Sequence, residues 1–157
     1  MQHKIYMGCG IVILNSTKDK VLLGTRRKEP DINGYQIPGG TVDYDDGENL
    51  LEAAVREVEE ETGLKVKDTK FLCMMNSFYY GKERPISIGF VAQSMSDEIP
   101  ANPEPHKADD WKWVPLDAIP EGKWFRLSKT AVDFYIELLK DPTLDRFVID
   151  SEYVNLK

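Results

Sequence analysis

The sequence predicts one compact domain of mixed α/β class. Five short segments rich in β-branched and aromatic residues are separated by turn signals, two segments carry helix start or stop signals, and no repeat, low-complexity tract or linker interrupts the 157 residues. A chain of this length removes roughly two thirds of its unfolded surface from water and holds a core without disulfides or a structural metal. Its balance of 41% apolar and 30% charged residues is that of a globular protein, neither disordered nor fibrous.

Ile5 to Leu14 reads as a strand, and the polar run Asn15 to Asp19 turns the chain into a second strand, Lys20 to Arg27, giving a hairpin. Pro30, Asn33-Gly34 and Pro38-Gly39-Gly40 punctuate a loop-rich stretch around the short apolar segment Tyr35-Gln36-Ile37. A helix follows, announced by Asp45-Asp46-Gly47-Glu48, with Leu51, Ala54, Val55 and Val58 at spacings of three and four. It stops at Gly63, a good residue for the left-handed position after a helix. Val66 to Asn76 and Pro85 to Gln93 read as two more strands. Ser94 to Asp110 is polar and holds three prolines, which marks a long surface loop. Trp111 to Val114 is a short strand. The second helix starts at the N-cap candidate Ser128 and ends at Asp141-Pro142, and Thr143 to Lys157 is ambiguous.

Charge and cysteine usage exclude several classes. With 20 Lys and Arg against 27 Asp and Glu, the net charge is −7. A protein that neutralises the phosphates of a duplex needs a surplus of cations, so duplex nucleic acid and anionic membrane are poor partners. No stretch approaches the roughly 18 apolar residues of a spanning helix, and no signal segment is visible, so a cytoplasmic location is expected. Cys9 and Cys73 lie in apolar segments and read as buried, reduced thiols.

The first helix carries an unusual set of acids. At about 100° per residue, Glu57, Glu60 and Glu61 fall within an arc of roughly 100°, while Glu52 and Glu59 lie about 140° or more from Glu57. The second group is a solvated face. The first group borders the stripe of Leu51, Ala54, Val55 and Val58, at the rim of the buried side. Like charges at this spacing repel, and the end of a helix disfavours negative charge. A divalent cation would make the placement favourable, and all-oxygen ligation suits Mg²⁺ or Mn²⁺. His3 and His106 are far apart and neither joins a cysteine pair at ligand spacing, which makes zinc the weaker alternative. Pro38-Gly39-Gly40 just upstream permits close approach of a ligand to the backbone.

These residues resemble a known family. Arg56-Glu57-Val58-Glu59-Glu60-Glu61-Thr62-Gly63-Leu64 matches the Nudix hydrolase signature REUxEExGU, in which U is a bulky aliphatic residue. Glu48 stands eight positions before Arg56, as that signature asks. Its glycine, usually six residues before the first glutamate, is replaced by Val42. Gly40 fills the role with two extra residues in the loop, so the box spans residues 40–64. Leu22 to Arg27 looks like the second strand of MutT-like members. Trp111 to Leu116 with Ile119-Pro120 looks like the segment that closes a Nudix domain.

The resemblance implies an α/β/α fold, a mixed sheet sandwiched between helices, filling residues 1–157 as one domain. It implies hydrolysis of a nucleoside diphosphate linked to a further group, with Gly40, Glu57, Glu60, Glu61 and Glu104 holding Mg²⁺, or Mn²⁺ in its place. Glu57 and Glu60 are the catalytic candidates, with Arg56 and Glu48 of the same signature. The general base is left open among Glu57, Glu60, Glu104, Asp109 and Asp110. Arg27, Gly39, Gly40, Trp124 and Tyr79 are the substrate-binding candidates, Arg27 for phosphate and the two aromatics for the base. Asn76-Ser77-Phe78 and the run Asn102 to Lys107 look most like enzymes that split nucleoside triphosphates into monophosphate and pyrophosphate. Nucleotide sugars and dinucleotides are the rival substrates. A nucleotide-binding module without turnover and a prenyl diphosphate isomerase are the rival classes. Related small enzymes are often dimers, so a homodimer is a further expectation of the resemblance.

Overall fold

A computed structural model of the chain describes residues 7–42, 47–76 and 86–149. In them the elements run β1 (Met7–Leu14), β2 (Lys20–Arg26), β3 (Tyr35–Gln36), β4 (Gly39–Thr41), α1 (Leu50–Thr62), β5 (Val66–Asn76), β6 (Ile86–Ser94), β7 (Ala108–Pro115), α2 (Arg126–Lys140) and β8 (Phe147–Ile149). The strands form one sheet in the order β3-β2-β1-β6-β5-β8, with β4 paired to β1 and β7 to β2. β1 runs parallel to β6 and β5 to β8, while the other pairs are antiparallel, so the sheet is mixed.

Both faces of this sheet are covered, which explains the uninterrupted apolar run of β1. Ile11 and Ile13 point to one side, with Leu22, Phe90 and Trp111, and pack on Ala53, Ala54 and Val58 of α1. Val12 and Leu14 point to the other, with Val21, Leu23 and Leu72, and pack on Ala131, Val132 and Tyr135 of α2. The sandwich expected from the sequence is the fold observed.

Several details differ from the sequence reading. β1 and β2 are joined by the expected turn, yet only Leu14 and Val21 are in register. β4, read as loop, instead pairs the start of β1, with Cys9 opposite Gly40 and Gly10 opposite Gly39. β7 begins at Ala108, three residues before the expected strand, because it follows β2 along its length with a bulge at Leu23/Thr25. The ambiguous tail supplies β8, which pairs β5 from Met74 to Asn76. α2 begins at Arg126 after Phe125, with no side-chain cap. Ser128 is buried inside it and its hydroxyl accepts a hydrogen bond from the Ile37 N–H at 3.0 Å.

α1 has the expected length but a different buried face. Asn49 caps it, with a reciprocal capping box to Glu52, and Gly63 closes it at φ 72°. Its buried residues are Ala53, Ala54, Glu57, Val58, Glu61 and Thr62, whereas Leu51 and Val55 are exposed. The helix is rotated so that Ala53, Ala54, Val58 and two carboxylates meet the sheet, while Leu51 and Val55 face outward. Glu57 and Glu61 are therefore inside the packed face, not at its rim.

Candidate active site

Two glycines of β4 bring the sheet against the acidic helix. A methyl carbon at Gly39 would lie 2.3 Å from the Cys9 carbonyl oxygen, and one at Gly40 would lie 2.1 Å from Glu57 Oε1. Only glycine permits these approaches. The Gly39 N–H donates to Glu61 Oε2 at 3.1 Å. The Gly40 carbonyl faces β1, where Cys9 Sγ donates to it at 3.7 Å. Gly40 thus meets Glu57 through its Cα, while its carbonyl oxygen, expected as a metal ligand, lies beside the Cys9 thiol.

Arg56 organises the acids on this face. Its guanidinium donates from Nε to Glu48 Oε1 at 2.7 Å and from Nη2 to Glu48 Oε2 at 3.1 Å. Nη1 donates to Glu57 Oε1 at 3.1 Å and Glu60 Oε2 at 2.8 Å. The neighbouring carboxylates hold Arg56 protonated well above its ordinary range, Glu48 contributing most. Burial pushes the Glu57 carboxyl up, with Arg56 pulling the other way. Glu61 is only 1% exposed, and burial pushes its carboxyl up to about 7 against the opposing Gly39 hydrogen bond, with Glu57 adding to the rise. Its Oε1 has no hydrogen-bond partner among the described residues.

A buried carboxylate oxygen without a partner is costly, and two such acids side by side more so. A hard divalent cation satisfies both, so the all-oxygen pair Glu57 and Glu61 fits the metal that the signature implies. Among the described residues, however, no three His, Cys, Asp or Glu side chains gather at ligating distance. Glu60 is the exposed member of the group, 42% accessible at its side chain and paired to Arg56 at 2.8 Å. Glu104 is ion-paired to Lys107 at 2.7 Å, and the Lys107 charge is felt at Glu57 and Glu61.

On the other side of β4 lies a cavity of about 220 Å³, lined by Gly39, Gly40, Arg26, Lys28, Gln36 and Ser87 at its polar parts and by Ile37, Met75, Phe125 and Leu127 at its apolar parts. Arg26 is buried, with its guanidinium 4.1 Å from the Phe125 ring centroid and bonded to Gln36 Oε1 and the Pro30 and Glu29 carbonyls.

The description NUDIX domain matches residues 6–134 of this chain. The chain belongs to the Nudix family. An RNA pyrophosphohydrolase of Pelagibacter ubique is 31% identical, over 85% of this chain and 86% of that protein. A MutT NUDIX hydrolase from Burkholderia pseudomallei superposes with a TM-score of 0.73 at 26% identity, covering 83% of this chain and 98% of that one. The NUDIX domain of Shewanella oneidensis NrtR, solved with ADP ribose, shares the fold with a TM-score of 0.74 at 22% identity, covering 88% and 90%.

As a Nudix hydrolase this chain acts on pyrophosphate bonds, and the family generally uses divalent metal ions. The structure distributes the remaining sequence candidates unevenly. Glu48, Arg56, Glu57 and Glu60 are joined in one hydrogen-bonded group, with Glu61 and the two glycines against it. Trp124, expected to stack on the base, is 8% exposed, tilted against Tyr35 at 5.4 Å and bonded to the Pro120 carbonyl. Its neighbour Phe125 lines the cavity. Arg27 lies just past β2, outside the cavity lining, with its guanidinium bonded to Asp109 at 2.8 Å and Asn33 at 2.7 Å. Tyr79 lies outside the described residues. Lys28, Gln36, Phe125 and Leu127 line the cavity without having been singled out. The run Arg26-Arg27-Lys28 was the available signal, but which cation faces inward depends on where β2 ends. No described helix is long and apolar enough to cross a membrane.

Proposed function

We propose that this chain hydrolyses the phosphoanhydride of a nucleoside 5′-triphosphate, releasing pyrophosphate, with Mg²⁺ as its metal. The observation that carries this reading is the thin glycine strand β4, which has buried Glu57 and Glu61 on one side and a cavity with polar and apolar walls on the other. The apolar part, at Met75, Phe125 and Leu127, accepts a base and sugar. The Gly39-Gly40 part accepts phosphates.

Bound at Glu57 and Glu61, a divalent cation supplies charge neutralisation at the phosphate oxygens and makes an attacking water more acidic. The chain's own residues do the rest. Arg56 fixes Glu57 in place, and Glu48 fixes Arg56. Glu60, the most exposed of the three signature glutamates, takes the proton of the attacking water. Burial of Glu61 excludes bulk water from the cation.

A second reading places the triphosphate at the 5′ end of an RNA. It is favoured by the RNA pyrophosphohydrolase of P. ubique. The net charge of −7 argues against duplex binding but not against a single strand's end. Incubation with Mg²⁺ and free nucleoside triphosphates, triphosphorylated RNA, nucleotide sugars and dinucleotides, followed by phosphate detection after added pyrophosphatase or phosphatase, separates these readings. Turnover of triphosphates supports the proposal. Binding with no turnover of any substrate favours the non-catalytic module.

A further inference from the structure

Three consecutive cations leave β2, and the fold gives each a different environment. Arg26 points inward and its guanidinium is taken up by Gln36, two backbone carbonyls and the Phe125 ring. Arg27 points away and is taken up by Asp109 and Asn33. Lys28 is exposed, lines the cavity beside Gly39 and Gly40, and makes no hydrogen bond or ion pair with the described residues. We propose that Lys28 binds the substrate's phosphate chain, in the role that the family resemblance implies for Arg27.

The inference rests on the triphosphate reading of the site. Arg26 and Lys28 are the cations of the cavity wall among the described residues. Arg26 is a fixed part of that wall, because a buried guanidinium holding three acceptors gives up those bonds only at a large cost. Lys28 has a flexible four-carbon stem and an ammonium free to meet an anion. Its charge is also felt at Glu61, which it pulls down against the rise from burial. Lys107 reaches the same carboxylates but is held by Glu104 at 2.7 Å. Among the described residues, a phosphate chain entering beside Gly39 and Gly40 therefore meets one uncommitted cation, Lys28.

Steady-state kinetics with a nucleoside triphosphate and Mg²⁺ test this. Lys28→Ala raises KM at least tenfold with kcat within threefold, the pattern of lost binding shared by ground and transition states. Lys28→Arg restores most of the affinity, and both variants keep the wild-type Tm because the side chain is exposed. Lys140→Ala, a cation at the far end of α2, controls for the loss of one positive charge. A wild-type KM in Lys28→Ala, with the rise appearing in Arg27→Ala, overturns the assignment and leaves the triphosphate reading intact. If the wild-type protein turns over no nucleotide, the triphosphate reading has failed. Lys28 is then read by calorimetry with a methylene-bridged nucleoside triphosphate analogue, where tenfold weaker binding by Lys28→Ala upholds the assignment and equal binding overturns it.

Discussion

Arg56 and Glu48 meet in a two-point ion pair, with Nε on Oε1 at 2.7 Å and Nη2 on Oε2 at 3.1 Å, while the remaining nitrogen of the same guanidinium holds Glu57 and Glu60. One planar group thus sets the positions of three carboxylates. A planar fork has this geometry and a point ammonium does not.

Arg56→Lys keeps the charge and removes the fork. Activity is expected to fall about 10- to 100-fold through misplaced carboxylates. The stability loss is only about 1 kcal/mol, because the pair is partly exposed to solvent. Kinetics and a melting curve on the same preparation check both.

Alanine at the two glycines of β4 separates site from scaffold. At Gly40 the new methyl meets the Glu57 side chain at 2.1 Å; at Gly39 it meets the Cys9 carbonyl, a backbone atom, at 2.3 Å. Gly40→Ala is expected to displace Glu57 and lose at least about 100-fold in turnover while the chain stays folded. Gly39→Ala forces β4 off β1 and lowers Tm more than Gly40→Ala does. The two melting curves, ranked, are the check.

The raised Glu61 carboxyl makes the stability of the metal-free protein depend on pH. Its folded value is about 7 against an ordinary 4.5. Below about 4.5 both folded and unfolded chains carry the proton and nothing is lost. As pH rises through 4.5 to 7 the unfolded chain ionises first, so stability declines across that window by up to about 3 kcal/mol. Denaturation in chelator at pH 5 and pH 8 reads this difference, and Glu61→Gln flattens it. Added Mg²⁺ raises stability at pH 8.

The mixed α/β class and α1 were legible in the sequence because apolar runs and helix signals are local, while the layering came from the resemblance carried by residues 40–64. Val66 to Asn76 forms the strand expected of it, and Leu50 to Thr62 the helix. What was not legible depends on contacts between distant segments. Leu51, Ala54, Val55 and Val58 share one helical spacing, so periodicity put all four inside, and only Ala54 and Val58 are there. The sheet comes so close at β4 that alanines and carboxylates fill that side instead. Trp124 was the aromatic singled out in the sequence, and the structure packs it on Tyr35 and puts its neighbour Phe125 in the cavity wall. β4 itself has no apolar pattern to announce it, since its glycines are there for what they omit.

The sorting of acids around α1 gives a control. Glu59 is exposed and lies away from the site, although it is adjacent in sequence to Glu60. Glu59→Gln is expected to retain turnover within about twofold of wild type, as surface changes do. A large loss would mean that the acidic face has been drawn on the wrong side of the helix.

The most direct measurement is Mg²⁺-dependent release of pyrophosphate from a nucleoside triphosphate by wild-type protein and Glu61→Gln, with Tm recorded for both in chelator at pH 8. The amide keeps an acceptor for the Gly39 N–H but removes the buried charge. The expected result is a fall in turnover of at least about two orders of magnitude together with an unchanged or higher Tm. Wild-type turnover in Glu61→Gln would contradict the assignment of the buried Glu57 and Glu61 pair as the place where the metal is held.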